Sequence, residues 1–547
     1  MHRTYSAPRR QLSASLARYS AVALSTLSRV SDVLAADAPV GTRVSVHGWV
    51  RTARVQKRWG FVEINDGSCV GNLQAVWPVG GGGGEGEGKI LLPSAADARA
   101  LTTGASVCAT GTLVTSPAAG QRVELSIDSL QIIGAADAKT YPLQKKAHSP
   151  EFLRENVHLR SRSAAAGAVL RIRAALSSAL NCHLTQKGLF HVHTPLLTAN
   201  DCEGAGELFG VDAANTPSGT PPFFGRRVFL TVSGQLHLET FVAALSRVYS
   251  FGPTFRAEHS NTPRHLAEFW MVEPEVAPAR APDAIALASS LLVAAARSLL
   301  EGPRGEDINL LAREHAVGAP DLLARIERAA AGNFPRMTYD AALLALRGAD
   351  APRFAAAVPE WGGDLSGEHE RWLAAQAGGP LFVTDYPATL KPFYMALNEA
   401  DAGRAVRAAA LVARDPKGAD AARITVSNFD LLVPGLGELA GGSAREARAG
   451  VLAVAMRTRG LLTPAAALDA DAAEAAAAAN IPFVGASRPP ADTGDGSLDW
   501  YLDLRRYGGV ESAGFGMGFD RLVTWCTGVD NVRDAVPVPR VVGSCRM

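Results

Sequence analysis

Residues 251–275 read FGPTFRAEHSNTPRHLAEFWMVEPE, a run that holds four arginine or histidine side chains, four glutamates and four aromatic rings. That mixture suits a nucleotide better than a packed core. Phe-Arg-Ala-Glu alternates as a strand does, Asn-Thr-Pro forces a turn, and Leu-Ala-Glu-Phe-Trp-Met-Val returns as a second strand. Such a hairpin aims Arg256 and Phe269 at one ligand, because a guanidinium offers a planar fork of donors to phosphate oxygens and a phenyl face stacks on a purine. The plain alternative is a surface hairpin with solvated charges. Residues 514–522, GFGMGFDRL, argue against it: a glycine-punctuated strand feeds an amphipathic helix that carries Arg521 on its first turn, and the glycines admit a ligand to the backbone. The spacing and the late position differ from the dinucleotide-binding fingerprint, so a Rossmann site is not expected.

Together these segments resemble motifs 2 and 3 of the class II aminoacyl-tRNA synthetases, and GLFHVHTPLLT at 188–198 resembles motif 1. VSGQL (232–236), PGLGELAGGS (434–443), YLDLRRYG (501–508) and GVDNVRDAVPVPR (528–540) narrow the likeness to the asparaginyl-tRNA synthetases, in the aspartyl, asparaginyl and lysyl subgroup. The resemblance implies an α+β chain, with an N-terminal OB-fold barrel followed by a catalytic domain on a central antiparallel sheet flanked by helices.

The 547 residues allow two or three domains, and 47% hydrophobic with 20% charged residues is ordinary for a soluble protein. No run suggests a membrane span. A net charge of +1 gives no global pull on nucleic acid, so tRNA binding must rely on local basic patches. Six cysteines without a CxxC pair suggest neither a zinc knuckle nor a disulfide framework. Residues 1–31 carry Arg3, Arg9, Arg10, Arg18 and Arg29 among serines and alanines, and the first acid is Asp32. This is the composition of a transit peptide to a mitochondrion or chloroplast, with a disordered cytosolic extension as the alternative.

Alternating runs between residues 40 and 134 read as five short strands of an OB-fold, interrupted by the glycine-rich loop at 80–88. The expected organisation is a transit peptide at 1–36, an anticodon-binding barrel at 37–136, a hinge at 137–160, and a catalytic domain at 161–547 with an alanine- and proline-rich insertion near 464–497. Apolar residues at helical spacing predict a helix over 161–187 that Gly188 ends, followed by a strand through FHVHTPLL. In the resembling family this helix and strand form a dimer interface, which implies a homodimer. His191 and His193 read as packing or surface residues rather than metal ligands. Residues 281–358 read as mostly helical, and 400–421 as surface decoration.

The implied reaction has two steps: the L-asparagine carboxylate attacks the α-phosphorus of ATP, then the terminal ribose of tRNA(Asn) attacks the adenylate. Both depend on positioning and charge neutralisation. By resemblance, Arg256 and Arg521 are the catalytic arginines. The ATP set adds Glu258, Arg264, His265, Phe269 and Glu438, with Phe269 and Arg521 sandwiching the adenine. Asp430 and Glu438 match ligands of Mg2+, a hard cation that needs few protein oxygens when phosphates complete its shell; they also read simply as turn formers. Glu203, Ser233, Gln235, Glu258 and Arg445 match the amino-acid pocket, where a Glu and Arg pair complements a carboxamide. Arg51, Phe61 and Gln74 match anticodon contacts, or are strand residues with no partner.

An aspartyl-tRNA synthetase is the nearest rival. Its pocket adds a lysine where this chain has Leu238, and an uncompensated buried carboxylate would be costly. A non-catalytic tRNA-binding paralogue is disfavoured by the retained arginines, and an asparagine synthetase on the same core would lack the barrel. His259, Pro263 and Asp520 depart from the usual Asn, Ser and Glu.

Overall fold

A computed structural model describes residues 27–35, 39–79, 100–118, 120–200, 207–213, 220–302, 304–315, 321–348, 354–400, 402–414, 423–462, 472, 475 and 498–547. Most of the expected leader, the glycine run at 80–88, Glu203 and nearly all of the 464–497 insertion lie outside them. The chain divides into two compact units, Met1–Arg171 and Ile172–Met547.

In the first unit, strands β1 (Arg43–Val55), β2 (Trp59–Asn65), β3 (Leu73–Pro78), β4 (Ser106–Thr115) and β5 (Val123–Gly134) close a barrel in the order β1-β2-β3-β5-β4. Burial alternates residue by residue along β4, as a strand with one face inward requires. Val46, Val62, Ile64, Leu73 and Leu125 fill the interior. A short helix, Val30–Leu34, adds fully buried Val30 and Val33 to that core. The Val30 N–H donates to Asp66 and the Ser31 N–H to Ser68, each at 2.9 Å. The packed barrel domain thus begins at least as early as Val30, ahead of the expected domain start at residue 37. The stretch 137–160, expected as a hinge, contains two short helices, Pro150–Glu155 and Val157–Arg160, the first capped by the Ser149 hydroxyl.

Helix α1 (Ala164–Gln186) spans the boundary between the units, and Gly188, at φ +79°, follows its end. The second unit is built on β6 (Phe190–His191), β7 (Arg247–Phe255), β8 (Glu268–Val276), β9 (Arg336–Thr338), β10 (Leu381–Thr384), β11 (Asn428–Val433), β12 (Gly437–Ala444) and β13 (Ala513–Gly518). Their order is β9-β10-β11-β12-β13-β8-β7-β6. The six central strands are antiparallel, and β9 and β6 join the edges in parallel. The predicted strand through FHVHTPLL is two pieces, since Leu197–Thr198 leaves the main sheet to pair with Val228–Leu230. Pro195, between them, can donate no ladder hydrogen bond. The hairpin is also wider than expected: its ladder ends at Phe255 opposite Glu268, so Arg256 opens a long loop.

Helix α3 (Ala281–Leu300) is long and apolar enough to cross a membrane, but it lies against β11, β12 and β13 and buries Ile285, Leu291 and Leu292. The stretch 400–421 contains a helix, Ala402–Arg414, that packs Ala405, Val406 and Ala409 against Val451 and Val454 rather than only decorating the surface.

Candidate active site

Side chains two apart on a strand share a face, so Phe269, Met271, Glu273 and Glu275 of β8 point one way. Gly514, Gly516 and Gly518 share a face of the neighbouring β13. A methyl group at Gly514 would come within 2.2 Å of Glu275 Oε1, and one at Gly516 within 2.4 Å of the Met271 side chain. The glycines therefore keep a floor low enough for large side chains to lie over it.

All seven residues expected on ATP line one cavity above this floor: Arg256, Glu258, Arg264, His265, Phe269, Glu438 and Arg521. The Arg256 guanidinium lies 5.3 Å from the centre of the Phe269 ring and 3.8 Å from Glu258. Glu258 is 3.4 Å from His265 Nε2, and His265 Nδ1 meets the Thr262 hydroxyl at 2.6 Å. Burial lowers the His265 pKa; Glu258 opposes that shift, and Arg521, Arg264 and Arg256 add to it. Arg521 lies on the first turn of helix α7 (Phe519–Thr527), an amphipathic helix whose other residues are buried. Arg521 donates to the Glu438 carbonyl at 3.0 Å and to its carboxylate at 3.1 Å. Asp520 beside it accepts the Trp270 N–H at 2.7 Å and pairs with Arg173 of α1, so the shorter acid at this position still closes a contact at the helix start.

Arg264 donates to the Leu436 carbonyl at 3.2 Å and lies 3.6 Å from Glu370. Glu370, on helix α5 (Gly367–Gln376), was not singled out from sequence. It accepts the Glu438 N–H at 3.1 Å, and burial together with repulsion from Glu438 and Asp430 pushes its pKa up to about 7. Asp430 Oδ2 accepts from Lys391 at 2.7 Å, another partner the sequence did not disclose. The other oxygen, Asp430 Oδ1, and Glu438 Oε1 both face Gly441, at 3.3 and 3.2 Å from where a side chain there would begin. Two carboxylate oxygens thus converge over a position without a side chain, a donor set that fits one hard cation sharing its shell with phosphates.

The remaining residues form a second group. Arg445 donates from Nε to Glu275 at 3.3 Å, from Nη1 to Ser443 at 2.7 Å, and from Nη2 to Gln235 at 2.6 Å and to Glu275. A guanidinium has five N–H groups, so one on Nη1 is left over among the described residues. Burial works against the Arg445 charge but Glu275 outweighs it, and the side chain stays protonated. On helix α2 (Gln235–Leu245), Gln235 donates to Glu239 at 2.8 Å. Glu239 also accepts from Tyr501 at 2.7 Å and from Arg505 at 2.5 Å, both on helix α6 (Asp499–Arg506). The buried network is charge-balanced, two arginines against two glutamates. Ser233 donates to Glu273, which also accepts the Gly234 N–H and the Ser250 hydroxyl.

Two expectations change. The described partners of Glu258 are Arg256 and His265, and the carboxylate facing Arg445 is Glu275. Leu238 is wholly buried with Val242, Val248 and Ala277. The missed acids Glu273 and Glu275 were legible as the alternate positions of EPE, and Tyr501 and Arg505 as an i, i+4 pair in YLDLRRYG. His191 stacks on Tyr249 at 4.7 Å with His193 edge-on at 4.8 Å, a packing arrangement.

On the barrel, Phe61 is half-buried on β2 with the Arg54 guanidinium 5.3 Å from its ring centre. Gln74 donates to Glu124 at 3.1 Å. Arg51 is turned onto Asn65, at 3.1 Å, and the Arg162 carbonyl. Phe61 and Arg54 thus offer an open stacking surface, while Gln74 and Arg51 are held by protein partners.

The family profile described as tRNA synthetases class II (D, K and N) matches residues 149–542, and an OB-fold nucleic acid binding domain matches residues 44–133. The chain is 42% identical over 523 residues to an asparagine–tRNA ligase of Geobacter sulfurreducens, covering 94% of this chain and 97% of that protein. It is 43% identical over 516 residues to an asparagine–tRNA ligase of Desulfotalea psychrophila, covering 94% and 98%. The crystal structure of asparaginyl-tRNA synthetase from Pyrococcus horikoshii complexed with asparaginyl-adenylate superposes with a TM-score of 0.70 at 27% identity, covering 92% of this chain and 96% of that one.

Proposed function

Because the chain belongs to the class II tRNA synthetases of the D, K and N group and is an asparagine–tRNA ligase within it, we propose that it charges tRNA(Asn) through an asparaginyl-adenylate, for protein synthesis in a mitochondrion, a chloroplast or both. The asparagine carboxylate attacks the α-phosphorus of ATP, the bond to the β-phosphate breaks, and diphosphate leaves. The terminal tRNA ribose hydroxyl then attacks the acyl carbon and AMP leaves. Arg256 neutralises charge developing at the α-phosphate, Arg264 and Arg521 hold the outer phosphates, and Phe269 stacks on the adenine. Asp430 and Glu438 would hold Mg2+, which when bound supplies further neutralisation of phosphate charge.

The observation that carries this reading is that β8 and β13 pair antiparallel, Met271 opposite Gly518, so that motif 2 and motif 3 deliver Arg256, Phe269 and Arg521 to one cavity. The balanced Arg445–Glu275 and Arg505–Glu239 network favours a neutral carboxamide over a second carboxylate, which would bring an unmatched charge into a buried site. Glu203 completes the amino-acid site and Phe61 stacks on an anticodon base, with Gln74 and Arg51 exchanging protein partners for RNA. Phe190, 58% exposed on the edge strand β6, and exposed Leu197 support a homodimer through motif 1. The arginine-rich leader supports the organellar destination.

Asparagine-dependent exchange of labelled diphosphate into ATP tests the reaction. Purified full-length protein should exchange with asparagine and at least about a thousandfold less efficiently with aspartate. Equal exchange with aspartate would replace this reading by the aspartyl one.

A further inference from the structure

A second cavity, of about 460 Å3, adjoins the nucleotide cavity and shares Arg264, Arg521 and Val532 with it. Its walls add two arginines that the proposed chemistry does not use, Arg325 on helix α4 (Leu322–Ala331) and Arg371 on α5. Resting on the proposed reaction, we infer that this cavity is an exit site for inorganic diphosphate, with Arg325 and Arg371 receiving the leaving group as it separates from Arg264 and Arg521.

The charges point to a visiting polyanion. Arg264 and Arg521 have carboxylate partners in Glu370 and Glu438, whereas Arg325 and Arg371 form no ion pair among the described residues. Among the described residues the carboxylate on the cavity wall is Asp530, and Asp321 lies close enough to favour the Arg325 charge. The nearby Cys526 thiol, pushed up to about 12 by burial, stays neutral. Arg325 is half-buried, its Nε is shut off from solvent without a hydrogen-bond partner, and its guanidinium lies 5.7 Å from the centre of the Trp525 ring. Trp525 is itself fixed by donating to the Pro434 carbonyl at 3.1 Å. Gathering like charges where partners are missing is unfavourable unless an anion supplies the compensation. The cavity falls within the range of about 300–1,000 Å3 usual for small-ligand sites.

Position selects diphosphate among the possible anions. Of these two cavities, Arg256, assigned to the α-phosphate, lines the nucleotide one; Arg264 and Arg521 line both; Arg325 and Arg371 line the outer one. The arginines therefore run outward from the bond that breaks, in the direction its leaving group must take. The outer pair binds what has left, which separates its role from the ATP contacts already assigned.

Two measurements on the full chain test this. Titration calorimetry with inorganic diphosphate alone should show binding to the wild type that weakens about tenfold in R325Q and in R371Q, the loss expected for one charge-assisted contact. In asparagine-dependent exchange the KM for diphosphate should rise about tenfold in each variant, more than any rise in the KM for ATP, and R371K should recover part of the loss. Should R325Q fold poorly by its melting curve, R371Q carries the test from the half-buried helix surface. Unchanged diphosphate affinity in folded R371Q overturns the exit site. An equal rise in the KM for ATP overturns it in favour of a subsite for the ATP tail, and a rise confined to the KM for tRNA overturns it in favour of an RNA phosphate contact. Calorimetry needs no turnover, so a wild type that binds diphosphate but shows no asparagine-dependent exchange would count against the proposed reaction and leave the cavity assignment standing.

Discussion

Replacing Glu275 with Gln changes one charge in the buried network and almost nothing in shape. Glu275 is 1% exposed and takes two of the four contacts made by Arg445, while Glu239 is committed to Arg505, Tyr501 and Gln235. The substitution therefore leaves the pocket with a net charge of about +1. Two unit charges about 5 Å apart at an effective dielectric of about 20 interact by about 3 kcal/mol, so a substrate carboxylate gains up to that amount while a carboxamide gains little. The ratio of kcat/KM for asparagine over aspartate should fall by about a hundredfold, measured by diphosphate exchange with each amino acid. Removing one partner of a buried pair also costs about 3–5 kcal/mol of stability, which denaturant melts will read separately. A folded E275Q enzyme whose asparagine-to-aspartate ratio is unmoved would refute the idea that charge balance around Arg445 sets the preference.

Replacing Arg256 with Ala should slow adenylate formation by about two to three orders of magnitude in single-turnover assays, the loss seen when one transition-state donor is removed. Near-normal rates in a folded variant would move the chemistry elsewhere. Because Glu370 has its pKa raised to about 7, the folded state holds a proton that the unfolded chain releases near pH 4.5; its contribution to stability is full below pH 4.5 and is lost as pH rises through 7. E370Q should therefore flatten the pH dependence of unfolding between pH 5 and 8 and gain up to about 3 kcal/mol on the wild type at pH 8; a variant that still tracks the wild type would show that another group titrates. F61A should raise the KM for tRNA by about 5- to 160-fold, from the about 1–3 kcal/mol carried by one stacked base, while diphosphate exchange, which needs no tRNA, stays put. Residues 1–29 fused to a fluorescent protein should direct it to an organelle, and a diffuse cytosolic signal would end the targeting claim.

What could be read in the sequence was whatever local spacing encodes. The barrel strands, the hairpin around Arg256 and the glycine strand before Arg521 each carry their period within a dozen residues. The amino-acid pocket does not. Glu275 and Gln235 reach Arg445 across sequence separations of 170 and 210, the first brought there by the β12-β13-β8 strand order and the second from the start of helix α2. The Leu238 argument failed on helical rotation. Gln235 and Glu239 lie four apart on the face of α2 that meets the network, whereas Leu238 and Val242 lie four apart on the face that packs against Val248. Glu370 and Lys391 gave no signal because lone charges in ordinary helix and loop contexts look solvated until the fold closes over them.

The short helix Val30–Leu34 limits how the chain can be trimmed. Were an N-terminal leader removed, the cut would fall on the N-terminal side of Val30, because a cleavage a few residues later would take two buried valines out of the barrel core and leave Asp66 and Ser68 without the amides they now bind. Stripping a buried valine costs on the order of 1.5–3 kcal/mol in lost burial alone. A mature N-terminus mapped by mass spectrometry should thus fall before Val30, and a chain cut beyond Val33 should yield a barrel that melts earlier while the catalytic unit keeps its own transition.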